Sequence, residues 1–432
     1  MKGSLFSNRI YRPRGDLMWL SPETFLVLIL ATAALLPLVP FLILYLLCCW
    51  IVLAYIENFT SSISPVILLL LLFPLGVLFA LNNEGYDISK DVWYLSKIVI
   101  LFSAGFTLAS RIRNINSFFE MYVAVSVIVS ILYLVRFFFL SGQAGSESGL
   151  DIAYEVGYMN LTTVFALPLL IRQSKYFIFI RGWIMKCIVA SVMLATMIFS
   201  YSRTYMLCAM LAFISTLGMF NNSRRRLLWV LIFAALIAGG TSYLYTLRNI
   251  GDIAVSDQKF ETKILNSIDE LIFTSSDDER TAQQKWRGFE VYSAWREFQN
   301  SSFLEQIFGR GFGATVDLQK YVQLTEDMVY RFLPTLHNGF FYVLVKYGAV
   351  GLLLYALFLL GVLRGSNGWK GAPRGNLLSD MRIGLGLIMV LTSIDITGLF
   401  NKVALDGICI FLGAMYGYCW AQGRRDQLGE TM

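Results

Sequence analysis

The feature that most constrains this sequence is the recurrence of apolar runs long enough to cross a bilayer, divided by short loops. A crossing needs ~20 predominantly apolar residues. Within lipid only a helix or a closed barrel satisfies every backbone polar group. The runs here are continuous and lack the ~10-residue alternating strands of a transmembrane barrel. With 56% hydrophobic residues in 432 and a mean hydropathy of +0.62, a soluble globular fold is excluded. The expected fold is all-α: a polytopic membrane protein of about 12 transmembrane helices with a helical cap outside the membrane.

The expected spans, good to a few residues, are 24–36, 40–56, 64–81, 92–110, 118–140, 158–171, 182–200, 204–220, 227–247, 338–363, 383–400 and 405–421. The first is short for a crossing and is expected to tilt or re-enter. Loop charge supports the count. If Lys2, Arg9, Arg12 and Arg14 are cytoplasmic, the same side receives Arg111 and Arg113, then Arg172, Lys175, Arg181 and Lys186. It also receives Arg224 to Arg226, then Arg364, Lys370, Arg374 and Arg382, and Arg424 with Arg425. The opposite short loops carry Glu84, Asp87, Glu147, Asp151 and Glu155. Only the 57–62 connection departs from the positive-inside pattern, so both termini are expected to be cytoplasmic.

Three regions follow: a bundle over 1–247, an external loop over 248–336 and three further helices over 337–432. The loop has helical spacing at Phe260, Ile264, Ile268 and Leu271 and around Trp286, Phe289 and Phe298, with a tight turn at Gly309 to Gly313. A cap of two or more helices is expected. No cleavable leader is expected before the first apolar run. The six cysteines lie in apolar segments without CxxC spacing, so neither a disulfide framework nor a metal site is implied. The net charge of +6 reflects topology and not nucleic-acid binding.

His337, the sole histidine, opens the run His-Asn-Gly at the junction of the polar loop and the next apolar segment. Imidazole is the side chain whose ordinary pKa suits proton transfer near neutrality. On the same side the topology places Arg203, pinned between two spans, and Arg287 in the loop. Intramembrane cations mark functional sites by default, and guanidinium binds phosphate bidentately while keeping its charge. The alternatives are a snorkelling Arg203 and an Arg287 paired with Glu290 on a solvated helix face. Arg280, Arg296 and Arg310 compete with Arg287. A cationic surrounding is expected to keep His337 neutral and able to accept a proton. Asp395 lies within an apolar span and requires a partner, as a proton relay or a helix-packing hydrogen bond. No HExxH, acidic metal cluster or Walker lysine is present, so neither metal nor nucleotide is expected.

His337-Asn338 followed by Gly348 and Gly351 resembles the signature of the O-antigen ligase and polymerase family of bacterial membrane glycosyltransferases. The Ser200–Arg203 segment, Arg287 in Trp-Arg-Gly-Phe-Glu and the glycine-aromatic turn around Arg310 fit the same resemblance, strongest from about 200 to 360. It implies a metal-independent enzyme of the bacterial inner membrane, without cofactor, that moves a glycan from undecaprenyl pyrophosphate onto an acceptor hydroxyl at the periplasmic face. His337 would be the general base, and Arg203 and Arg287 would hold the pyrophosphate, with Arg280 and Arg310 as weaker candidates. Implied partners are the lipid-linked oligosaccharide, a glycan acceptor and the bilayer, with flippase and chain-length regulator proteins as further candidates. The unexceptional aromatic-rich loop and lack of an added acceptor domain favour a polymerase over a ligase; a lipid-linked glycan flippase or a scaffold are the rivals.

Overall fold

The computed structural model describes residues 21–35, 41–55, 64–143, 161–219 apart from 179 and 181, 285–325, 328–364, 375–400 and 405–428. The expected span at 227–247, the loop segment before 285 and Arg280 lie outside the described residues.

The chain is mostly helical. Helices α1 (Pro22–Ala34) and α2 (Phe41–Ala54) precede a broken segment, α3 (Ile67–Leu70) and α4 (Leu72–Leu78). Next come α5 (Gly85–Ala109), α6 (Ile115–Gln143), α7 (Ala166–Gln173), α8 (Trp183–Phe199) and α9 (Arg203–Thr216). An insert of α10 (Trp286–Asn300), α11 (Phe303–Phe308) and strands β1 (Val316–Thr325) and β2 (Met328–Leu333) leads to α12 (Gly339–Arg364), α13 (Gly375–Asp395) and α14 (Asp406–Leu428). Among the described residues four helices are long and apolar enough to cross a membrane: Gly85–Ala109, Ile115–Ser141, Gly339–Arg364 and Asn376–Asp395. On α6, Ile128, Ile131, Leu132, Val135, Phe138 and Phe139 are exposed, a contiguous apolar surface suited to lipid.

The tightest helix pair is α5 against α14. An added Cβ at Gly413 or Gly417 would meet the carbonyls of Phe102 and Phe106, and one at Gly105 would meet that of Ile410. Small residues let backbones approach within an apolar medium, where close packing and not water exclusion drives association. Lys97 of α5 pairs with Asp406 of α14 at 2.9 Å, both almost fully buried, and Tyr45 of α2 donates to the same carboxylate.

Two expectations change. The insert is not purely helical: β1 and β2 pair antiparallel, with Val316 opposite Leu333 and a bulge between Asp317 and Val322. Val316, Leu318, Val322 and Leu333 turn inward, which gives the hairpin one buried face. The expected span at 383–400 ends instead at Asp395; Thr397 takes a positive φ of 69°, and a short 3-10 turn follows at Gly398–Phe400.

The turn at Gly309 to Gly313 ties the insert to the membrane helices. Inside α12, Gly348 has φ 67° and ψ −167°, which interrupts the i to i−4 ladder and releases carbonyls of the preceding turn. Those of Val345 and Lys346 accept hydrogen bonds from Arg310 N and Gly311 N, each at 3.0 Å. A Cβ at Gly348 would strike the backbone at Ile307 and Gly309, so only glycine fits both the conformation and the space. Phe312 N reaches the Gly76 carbonyl at 2.7 Å, and Gly313 N reaches Asp91 at 2.7 Å. Asp91 is buried with Lys346 and also accepts from Tyr342 at 2.6 Å.

Candidate functional site

The hairpin ends four residues before His337, and the main chain there is held from both sides. Its N–H donates to Glu290 Oε2 at 3.1 Å, and its carbonyl accepts from Thr397 N. The Thr397 hydroxyl donates to the neighbouring Leu336 carbonyl at 2.6 Å. Asn338 caps α12: its Oδ1 accepts from Phe340 N at 3.1 Å and Phe341 N at 3.2 Å. That is the usual task of an N-cap side chain, and it explains locally why asparagine follows the histidine. Gly339 is needed because a Cβ would run into the Thr397 carbonyl at 2.6 Å. Gly351 lies within α12, where a Cβ would meet Tyr347.

The His337 ring meets Glu290 of α10. Nδ1 lies 3.0 Å from both carboxylate oxygens; the imidazole side chain is 49% exposed while Glu290 is 1% exposed. Thus the carboxylate is shut away behind a ring that solvent can reach. Burial opposes the charged imidazolium, but the hydrogen bond to Glu290 and the charge of that carboxylate outweigh it. Arg287 opposes and Asp395 assists, and the His337 pKa is held above its usual 6.5. This corrects the expectation that neighbouring arginines would keep the ring neutral: the carboxylate in direct contact outweighs the guanidinium.

Arg287 does not pair with Glu290. It forms an ion pair with Asp395, with both side chains partly exposed. The other oxygen of Asp395 accepts from the Thr204 hydroxyl. One carboxylate therefore ties α10, the end of α13 and the first turn of α9, whose first residue is Arg203. Ser202 caps α9 by accepting from Tyr205 N at 3.3 Å, and Tyr201 takes φ 46° as the chain turns in. Arg203 is partly exposed at this N-terminus, where the helix dipole adds positive potential. Arg310 is engaged elsewhere, with Glu297 and with the Thr315 carbonyl at 3.1 Å. Arg296 donates to the Asp317 carbonyl at 3.2 Å.

The structure thus brings His337, Arg287 and the Arg203 turn together through Glu290 and Asp395. Of the two carboxylates, the sequence singles out only Asp395, as a relay or a helix-packing partner. The signal of Asp395 is a charge in an apolar run; Glu290 offers only its spacing from Arg287. Between α6, α7, α8 and α9 lies a largely apolar cavity of about 380 Å³, lined in part by Ser126, Leu167, Met193, Met197, Tyr205 and Met206. Tyr205 and Met206 place it within a turn of Arg203.

A mostly helical protein with membrane-length helices carries a half-open cationic site with one carboxylate-backed imidazole. Residues 188–356, which contain Arg203, Arg287 and His337, match the family model described as O-antigen ligase. That match supports a place for this stretch in the O-antigen ligase and polymerase family. No curated protein matches the chain.

Proposed function

We propose that the protein joins undecaprenyl-pyrophosphate-linked glycan repeat units, as an O-antigen or exopolysaccharide polymerase at the outer face of the bacterial inner membrane. The observation that carries this reading is the solvent-reachable His337 ring set against buried Glu290 beside Arg287 and the Arg203 turn. Displacement at an anomeric carbon needs a base for the incoming hydroxyl and positive charge for the leaving group. His337 would take the hydroxyl proton. Arg203, Arg287 and the first turn of α9 would hold the pyrophosphate, with Asp395 as the counter-charge that keeps Arg287 in place until substrate arrives. The apolar cavity behind α9 suits a segment of prenyl chain.

A second reading, transfer of the finished glycan to lipid A-core or to a protein, is favoured by the description of the matching family as O-antigen ligase. Purified protein supplied only with labelled lipid-linked repeat units separates the two. Longer lipid-linked chains are expected. Transfer only after addition of a lipid A-core or protein acceptor would replace the polymerase reading with the ligase one. No covalent change under either condition would overturn both.

A further inference from the structure

We infer that Glu290 is the positioning residue that fixes the tautomer of His337, keeping a proton on Nδ1 so that Nε2 is the nitrogen offered to the acceptor hydroxyl. This rests on the reading of His337 as general base. A carboxylate can only accept, and both of its oxygens lie 3.0 Å from Nδ1. The neutral ring must then carry its proton on Nδ1. In water an unconstrained neutral imidazole favours the other tautomer, so the preference has to be imposed. The main-chain N–H of His337 adds a second donor to Glu290, at 3.1 Å. The carboxylate therefore holds the ring and its backbone in one relative orientation. The other charged groups acting on the ring are Arg287, from the same helix as Glu290, and Asp395, from the end of α13. Arg287 and Asp395 are paired with each other, which leaves Glu290 committed to the histidine.

The proton inventory then closes. The acceptor hydroxyl gives its proton to Nε2 as its oxygen bonds to the anomeric carbon. The bond from that carbon to the phosphate oxygen breaks, and its electron pair leaves on the polyprenyl pyrophosphate. The ring, now imidazolium, keeps Nδ1–H on Glu290 and later returns the Nε2 proton to water. A carboxylate in contact stabilises that charged state, so it strengthens the base as well as aiming it.

An amide in place of Glu290 disrupts this without changing size. Gln has one acceptor oxygen. Once that oxygen serves the His337 main-chain N–H, the NH₂ group faces Nδ1 and donates to it. The ring proton moves to Nε2, and the base is blocked.

Because His337 is the sole histidine, the test has one signal to read. The full chain is purified through a histidine-free tag, labelled with ¹⁵N-histidine and reconstituted in nanodiscs. The imidazole nitrogens are then followed by NMR against pH. Above its pKa the wild-type ring is expected to show a protonated Nδ1 and a bare Nε2. In Glu290→Gln the two should exchange and the ring pKa should fall. With labelled undecaprenyl-pyrophosphate-linked repeats, kcat of that variant should drop roughly 10²- to 10⁴-fold while KM moves little. A wild-type ring protonated on Nε2 when neutral, or a Gln variant with unchanged tautomer and rate, would overturn the inference. The spectra need no substrate. A correct tautomer in a protein that transfers no glycan would leave Glu290 in its positioning role and remove the glycosyltransferase reading instead.

Discussion

The same pairing of a carboxylate with a cationic or protonatable group appears in two settings within this molecule. Lys97 with Asp406 and Lys346 with Asp91 are sealed, with every side chain at 3% exposure or less. Arg287 with Asp395 is open, at 24% and 20%, and His337 presents a 49% exposed ring to a 1% exposed Glu290. The sealed pairs join α5 to α14 and α5 to α12, where nothing from solution can compete for either partner. They fix helix positions. The open pairs sit where three elements end, and a phosphate or hydroxyl can reach one partner of each. Burial, rather than residue type, separates scaffold from candidate chemistry here.

The comparison predicts that open-site changes move activity and sealed-pair changes move stability. The largest effect is expected for His337→Ala, with glycan transfer falling ~10²- to 10⁴-fold and a smaller change in melting temperature than breaking a sealed pair brings, because loss of the exposed ring lets water reach Glu290. Wild-type polymer from that variant in a deletion strain would break the distinction. Asp91→Ala leaves Lys346 buried without its partner and is expected to cost about 3–5 kcal/mol, read as a collapse of thermal stability in detergent. Retained stability there would show that water reaches the pair. Arg203→Lys and Arg287→Lys keep the charge but lose the planar fork, and transfer should drop on the order of 10-fold or more, ~1–3 kcal/mol for charge-assisted hydrogen bonds, with little change in melting. Gly348→Ala forces a side chain into a positive φ against backbone and should lower stability by ~1–3 kcal/mol. The smallest effect concerns pH. The base must be neutral to act, and its pKa is held above 6.5, so transfer should rise with pH through a limb lying above 6.5. A limb below that value would contradict the Glu290 contact.

Much of this was legible in the chain. The span at 338–363 matches α12, Gly339–Arg364, almost residue for residue, because an asparagine cap and an unbroken apolar run mark it plainly. Helix α5 begins at Gly85 and not at 92; the polar residues Asp87 and Asp91 hid its first turns. Asp91 finds its partners in Lys346, Tyr342 and the Gly313 N–H, more than 200 residues on. Helix α13 likewise starts at Gly375, ahead of 383, since Asp380 is matched by Arg172 at 2.7 Å. The hairpin is hidden in the sequence although Val316, Leu318 and Val322 hint at alternation; the bulge breaks the period. His337, Arg203 and Arg287 could be nominated from residue type and loop charge. Glu290 could not, because nothing local ties it to a histidine 47 positions later.

The kink at Gly348 has a practical consequence for anyone making hybrids between chains of this kind. The turn around Arg310 and the α12 segment at 345–348 exchange hydrogen bonds that neither can replace alone. A crossover placed between them would join a helix with open carbonyls to a loop not shaped to fill them. Exchange of acceptor preference by grafting should therefore move residues 303 to 351 as one cassette and keep Glu290 and Thr397, which hold His337, matched to it.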